Sequence, residues 1–208
     1  MPARMRHPLT RDEIIRRLAE MPPIEDLLTA DDLEKQRLAA SAASLTPAAV
    51  LLLVVNHPGE PTVVFTQRTA HLADHAGQIS FPGGRVEEGD EGPAQTALRE
   101  AREEVGIDPA GIEILGELPD YHTSTGYRVR PVVGWAEPPL SYAPDPYEVA
   151  DVFEVPLHFL LEPANHRYES AFYKGRLRHY WAMPWEGRFI WGATAGMLVT
   201  FQRIVGRP

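Results

Sequence analysis

The 208-residue sequence contains no cysteine, which excludes disulfide bridges, thiolate nucleophiles and cysteine-ligated metal sites together. It has no stretch approaching the ~18 apolar residues that a membrane-spanning helix requires. Residues 1–20 carry Arg4, Arg6, Arg11, Asp12, Glu13, Arg16 and Arg17, leaving no room for the apolar core of a secretory signal. These absences lead us to expect a cytoplasmic protein with no membrane partner. Basic charge is also in deficit, the formal net charge being −9, so a general nucleic-acid binder is excluded, because such affinity needs a concentrated basic surface. A small anionic ligand accompanied by its own metal ion remains allowed. Lysine is scarce, 18 of the 20 basic residues being arginine, but a coding bias accounts for this and no function is drawn from it. The 44% hydrophobic and 24% charged fractions are those of a globular protein with one substantial core.

Thr10-Arg-Asp-Glu13 has the form of a capping box, and Ile14, Ile15 and Leu18 supply an apolar face. A helix is therefore predicted to about Glu20, ended by Pro22-Pro23. A second helix is predicted over about 31–42, so residues 1–45 read as an N-terminal helical extension and 46–208 as the main domain. The apolar run Ala48–Val55, the turn Asn56–Gly59 and the segment Thr62–Gln67 predict paired strands. Pro93 and Gly106 bracket a helix over 93–105. Strands are predicted at 112–118, 129–136 and 148–155, with a proline-rich extended loop at 137–147. A short helix at 159–161, a hairpin of 166–173 and 177–183 about Lys174-Gly175, and a final helix at 192–204 complete the chain. This order indicates an α+β protein with α/β/α layers.

The helix over 93–105 carries the chemistry. Glu100, Glu103 and Glu104 are spaced i, i+3 and i+4, which sets three carboxylates side by side on a helix surface. Ala94, Ala97, Leu98, Ala101 and Val105 form a separate apolar stripe, so the helix can pack on a core while the acidic cluster sits at the edge of a cleft. Like charges at this spacing cost roughly 0.2–0.5 kcal/mol in an isolated helix, a repulsion that a divalent cation would turn into coordination. Taken alone, such a trio is common as a solvated acidic face balanced by neighbours such as Arg99 and Arg102. The preceding Phe81-Pro-Gly-Gly84 and Arg85-Val-Glu-Glu-Gly-Asp90 change this, because an exposed glycine turn lets the backbone approach a ligand as the chain enters the acidic helix.

Here the sequence resembles the Nudix family, whose box reads G-x5-E-x7-R-E-U-x-E-E-x-G-U with U apolar. Arg99-Glu100-Ala101-Arg102-Glu103-Glu104-Val105-Gly106-Ile107 matches its second half. Gly84 and Asp90 match the first half, with Asp in place of Glu and one extra residue before Arg99. The resemblance implies a Nudix-type α/β/α sandwich with a mixed β-sheet. It also implies Mg²⁺ or Mn²⁺ held by Glu100, Glu104, Glu103 and the Gly84 carbonyl. Glu100 and Glu104 rank above Glu103 as direct ligands. In the catalytic constellation Arg99 has a structural part, braced by an ion pair from Asp90, and Glu103, Glu104 or the distal Glu148 would be the general base.

The run Phe65-Thr-Gln-Arg68-Thr-Ala-His-Leu72-Ala-Asp-His75-Ala-Gly77-Gln-Ile-Ser-Phe-Pro-Gly-Gly84 is similar to the segment preceding the box in the coenzyme A pyrophosphatase branch. Thr125–Val129, Glu148–Leu157 and Ile190–Ala195 resemble later segments of that branch, so the likeness spans about 46–205. It implies substrate contacts from Arg68, His75, Gln78, Phe81, Tyr127 and Arg128. Individually, Phe81 reads more readily as core than as a contact, and Arg68, His71 or His75 more readily as an ordinary locally paired or surface residue. The implied reaction is metal-dependent hydrolysis of coenzyme A or its derivatives to 3′,5′-ADP and 4′-phosphopantetheine or its acylated form. The partner is thus a small-molecule nucleotide, not a nucleic acid, and dimers common in the family leave a homodimer open. A Nudix hydrolase for ADP-ribose, a dinucleotide or a nucleotide sugar is the nearest rival. A non-catalytic Nudix-fold binding module is a further one, opposed by the intact Glu100, Glu103 and Glu104.

Overall fold

The computed structural model describes residues 9–41, 44–71, 77–173 and 175–207, apart from the side chains of 30, 31, 35, 173 and 176. Three helices come first: α1 (Arg11–Ala19), α2 (Ile24–Leu27) and α3 (Ala30–Ala40). Thr10 caps α1, its hydroxyl accepting from Glu13 N at 3.3 Å, and Ile14 and Leu18 are buried. The four-residue α2 is too short to leave a periodic signal, and the sequence did not predict it. Helix α3 ends at Ala40; Ala42, to which the sequence extended it, lies outside the described residues.

Among the described residues, eight strands form the main sheet: β1 (Thr46–Val55), β2 (Thr62–Arg68), β3 (Ile79–Ser80), β4 (Gly83–Arg85), β5 (Ile112–Glu117), β6 (Tyr121–His122), β7 (Tyr127–Ala136) and β8 (Val149–Pro156). It is a mixed sheet. β1 runs parallel to β7 along its whole length, from Thr46↔Tyr127 to Val55↔Ala136, and the other pairings are antiparallel. A second sheet holds β9 (Arg167–Tyr173), β10 (Arg176–Trp185) and β11 (Arg188–Trp191). The predicted hairpin is there, although Lys174 at its turn lies outside the described residues. Helices α4 (Pro93–Val105), α5 (Leu157–Leu161) and α6 (Gly192–Val205) complete the fold.

One departure from regular pairing shapes the molecule. β1 and β2 pair only at Val54↔Val63 and Val55↔Thr62, then separate. The chain between 79 and 85 fills the gap, β3 pairing with β2 at Thr66 and Gln67 and β4 pairing with β1 from Ala48 to Val50. Leu51 N reaches Pro82 O at 2.8 Å, so the expected glycine turn is instead a short strand wedged into the sheet. From its far end the chain passes through residues 86–92 into α4.

Alternation along β1 sends Ala49, Leu51, Leu53 and Val55 to one face, where they meet Ala97, Ala101 and Val105 of α4. The small alanines let the helix approach the sheet closely. Leu52 and Val54 face the other way and join Phe65, Val133 and Trp135 with Leu198, Phe201 and Ile204 of α6. Ile14, Leu18 and Leu27 belong to this same core, so α1 and α2 share it. The result is helix, sheet, helix, the layering expected from the sequence.

Candidate active site

Helix α4 starts with Pro93 at a first-turn position and ends at Gly106, whose φ of +71° is the left-handed cap that glycine favours. Between them the hydrophobic stripe fixes the roll of the helix and aims Glu100 and Glu104 at β4. Gly83 N donates to Glu104 Oε2 at 3.0 Å. A methyl group at Gly84 would collide with the Glu100 carboxylate, so the glycine leaves the space that this side chain occupies. Glu104 is buried and Glu100 nearly so, whereas the Glu103 side chain is 59% exposed. The trio is thus split into two inward carboxylates and one at the rim.

Arg99 is the brace. Its Nε and Nη2 hydrogen-bond Asp90 at 3.2 and 3.1 Å, and Nη2 also donates to Arg85 O at 2.9 Å. Nη1 donates to Glu100 Oε1 and Glu103 Oε2, each at 3.0 Å. Such engagement ties the β4–α4 segment to the helix and leaves the guanidinium committed to protein. Asp90 also accepts from Glu87 N at 2.9 Å and Thr96 Oγ1 at 2.8 Å. Arg99 and these donors hold its carboxyl well below the usual carboxylate range.

The inward glutamates behave oppositely. Burial raises the Glu104 pKa to about 7; the Gly83 N–H and Arg68 oppose the shift, and the charges of Glu100 and Glu148 add to it. Burial also raises Glu100, with Arg99 opposing and Glu103 and Glu148 adding. Two carboxylates pressed together out of water are the arrangement that a hard divalent cation relieves. Among the described residues no three His, Asp or Glu side chains converge tightly enough to enclose an ion by themselves. The donors that could hold one are Glu100 and Glu104, with the Gly84 carbonyl and Glu103 beside them, an open set suited to Mg²⁺, which keeps several waters.

The remaining expected residues fall into distinct places. Arg68 sits at a register irregularity where β2 meets β8, with Nη1 3.9 Å from Glu104 Oε1. Its Nε is buried without a hydrogen-bond partner among the described residues, an orphan donor beside the acidic pair. Gln78 lies next to it, its carbonyl accepting from Arg68 N at 2.9 Å. Glu148 reaches the site from the 137–148 loop, where its carbonyl accepts from Thr69 N at 3.0 Å. Tyr127 lies close to β4, its phenolic oxygen accepting from Arg85 Nε at 3.2 Å and Nη2 at 2.7 Å. Arg128, the next residue of β7, projects from the opposite face of the sheet, so the two do not form one contact patch.

The expectation that Phe81 touches substrate is corrected: it is 1% exposed and stacked on Phe65 with ring centroids 5.2 Å apart. It is a core residue that anchors the wedge between β1 and β2. His75 lies outside the described residues. Sequence reasoning missed Arg85, whose signal was its place directly after Gly83-Gly84, and Tyr147, whose signal was its place next to Glu148.

No helix among the described residues is long and apolar enough to cross a membrane. A sequence model of the NUDIX domain matches residues 45–173. The chain is 38% identical over 175 residues to the "Uncharacterized Nudix hydrolase NudL" of Escherichia coli strain K12, covering 84% of this chain and 91% of that one. The same figures hold for the protein so named in Shigella boydii serotype 18. Among solved structures, a Nudix hydrolase from M. smegmatis, RenU, overlays with a TM-score of 0.47 at 24% identity, covering 55% of this chain and 73% of that one.

Proposed function

The chain belongs to the Nudix hydrolase family, and from that premise we propose that it hydrolyses the diphosphate linkage of coenzyme A or its derivatives to 3′,5′-ADP and 4′-phosphopantetheine or its acylated form. The observation that carries the reading is the meeting of Arg68, from the upstream run that resembles the coenzyme A branch, with the buried Glu104 of α4 at 3.9 Å. A cation whose Nε has no hydrogen-bond partner among the described residues is thereby held beside a pair of carboxylates. An anionic diphosphate would meet Arg68 directly and the carboxylates through a divalent cation.

Members of the family generally use Mg²⁺ or Mn²⁺, and such an ion would neutralise the diphosphate and acidify a water molecule. Glu100, Glu104 and the Gly84 carbonyl would hold it, with Glu103 directly or through water. Gly83 fixes the direction of Glu104, and Arg99 with Asp90 keeps Glu100 against β4. Arg68, whose side chain is partly exposed beside Glu104, would donate from its guanidinium to a phosphate oxygen, a charge-assisted bond. Tyr127 and Gln78 line the substrate side, and Arg128, on the other face, would serve only a ligand that reaches round the end of the sheet. Glu148 is the assigned base: its carboxylate is not committed to Arg99, as that of Glu103 is, and a base has first to reach its water.

Incubating the purified protein with coenzyme A and with ADP-ribose, in Mg²⁺ or Mn²⁺, and identifying the products by chromatography tests the proposal. Faster cleavage of coenzyme A to 3′,5′-ADP is expected. Equal rates, or a preference for ADP-ribose, would remove the substrate assignment and leave the family reading in place.

A further inference from the structure

Tyr147, the neighbour of Glu148 in the 137–148 loop, leaves 66% of its surface exposed. Among the described residues the other large exposed aromatic side chains, Tyr168, Phe172, Phe189 and Trp191, belong to the second sheet. The backbone of Tyr147 is held on both sides. Its carbonyl accepts from Thr69 Oγ1 at 2.8 Å, and its N–H donates to Asp145 Oδ1 at 2.8 Å. Thr69 follows Arg68 and also bonds the carbonyl of Glu148, so a short backbone ladder sets the tyrosine one step outward from the Arg68, Glu104 and Glu148 group. The His71 ring lies against it, centroids 5.0 Å apart and planes tilted by 60°. A ring anchored through its own backbone, propped by an imidazole and left largely in water is preorganised to stack on a planar ligand.

Charge and ring divide the cleft. Arg68 and the carboxylates address the diphosphate, which every substrate of this class carries. Tyr147 and His71 add two aromatic rings in contact, and the outer one offers a face on which a nucleobase, whose π-face is its most hydrophobic surface, can stack. We propose that Tyr147, supported by His71, is the specificity residue that stacks on the nucleobase of the substrate. The inference rests on the reading of this cleft as a diphosphate hydrolase site and adds to it the part of the ligand that is recognised. Because every base presents a π-face, the contact selects for the presence of a base more than for its identity.

Equilibrium binding to the full chain tests this with two probes: adenosine 3′,5′-bisphosphate, and the same ribose bisphosphate without the base. Tyr147→Ala is expected to weaken the adenosine ligand about 10-fold and to leave the base-free ligand unchanged, with Tyr147→Trp restoring affinity. The KM for coenzyme A should rise by the same factor in Tyr147→Ala while kcat holds. Equal weakening of both probes, no weakening of either, or failure of the wild type to bind the adenosine ligand overturns the inference. The two levels separate cleanly. Tyr147-dependent binding without cleavage of coenzyme A sinks the substrate assignment and leaves stacking standing, whereas cleavage with an unchanged KM in Tyr147→Ala sinks stacking alone.

Discussion

Arg99 holds Glu100 and Glu103 with a single nitrogen, Nη1 lying 3.0 Å from an oxygen of each, while its other two nitrogens grip Asp90. One side chain therefore joins the loop before α4 to two of the three glutamates. The arrangement explains why an arginine stands in the middle of an acidic cluster: all three of its nitrogens are committed to protein partners. It also makes the brace separable from the chemistry by mutation.

Asp90→Asn tests the brace through pH. A carboxyl whose folded pKa is depressed contributes stability that is present above its ordinary value near 3.8 and is lost as pH falls toward the lower folded value. Wild type should consequently lose stability steeply below about pH 4. Asp90→Asn should start less stable at pH 7 and show a flatter acid limb. Urea midpoints measured between pH 7 and pH 2 check this; parallel curves would sink it.

The adjacent glycines should fail in different ways. A Cβ at Gly83 would strike the backbone of Ala49 and Val50, which cannot yield, so Gly83→Ala should cost about 1–3 kcal/mol of stability. At Gly84 the obstacle is the far end of the flexible Glu100 side chain, which can swing aside. Gly84→Ala should thus change stability by less than about 1 kcal/mol while cutting turnover on the order of 100-fold. Thermal denaturation and initial rates, measured on both variants, distinguish the two outcomes.

Glu104 supplies a metal-linked pH test. With its folded pKa raised from 4.5 to about 7, the metal-free fold holds the proton more tightly than the unfolded chain does. Stability of the metal-free protein should therefore fall as pH rises between these values, and Glu104→Gln should remove that slope. Added Mg²⁺ should raise the wild-type melting temperature more at pH 8 than at pH 5, since binding requires the ionised carboxylate. Glu104→Gln should lose both that shift and metal-dependent hydrolysis while staying folded. Near wild-type turnover in this variant would show the metal assignment to be wrong.

The features legible in the sequence were those written in local spacing. The helix from Pro93 to Val105, its Gly106 cap and its three glutamates at i, i+3 and i+4 are all short-range patterns; the structure places the helix and cap as read, and turns two of the glutamates inward while leaving Glu103 at the rim. The Asp90 to Arg99 bridge followed from the family box. Missed features depend on contacts between distant segments. The strand at Gly83–Arg85 exists because β1 and β2 part company, which no pattern within 83–85 reveals. The family resemblance alone implies Phe81 as a substrate contact; as a single residue it reads as core, and the same wedge carries it inward against Phe65. Tyr127 and Arg128, neighbours in sequence, had to fall on opposite faces once 127–136 was a strand, and that consequence could have been drawn from the period of two. Tyr147 acquires meaning only through Thr69, 78 residues away.

Glu148 and Glu103 compete for the role of general base, and their surroundings separate them. Glu103 is exposed and bonded to Arg99, whereas Glu148 approaches closely enough to raise the pKa values of both inward glutamates. Glu148→Gln should lower kcat by at least about 100-fold with little change in KM, and Glu103→Gln should cost much less. Steady-state kinetics on the two variants decide the assignment. A larger kcat loss at Glu103 would transfer the role to it.

The loop that brings Glu148 and Tyr147 to the cleft is fastened at its far end by Glu154. This carboxylate accepts from Tyr142 OH at 2.6 Å and from the Thr62 hydroxyl, and meets His57 Nε2 at 2.6 Å. Between the two ends, Ala143 N and Asp145 N bond the carbonyls of Val105 and Glu104 at 2.8 and 2.9 Å, so the loop also serves the open C-terminal turn of α4. Hydrogen bonds to a charged group contribute roughly 1.5–3 kcal/mol, and Tyr142→Phe removes one without disturbing the packing of the ring. Its expected signature is a stability loss of that order, together with faster amide exchange at Ala143 and Asp145. Because the Thr69 contacts to Tyr147 and Glu148 persist, the cleft end of the loop should stay in place and KM should move less than the exchange rates do. Exchange that accelerates equally from 143 to 149 would instead mean that the Glu154 anchor holds the entire loop and that the Thr69 ladder contributes little on its own.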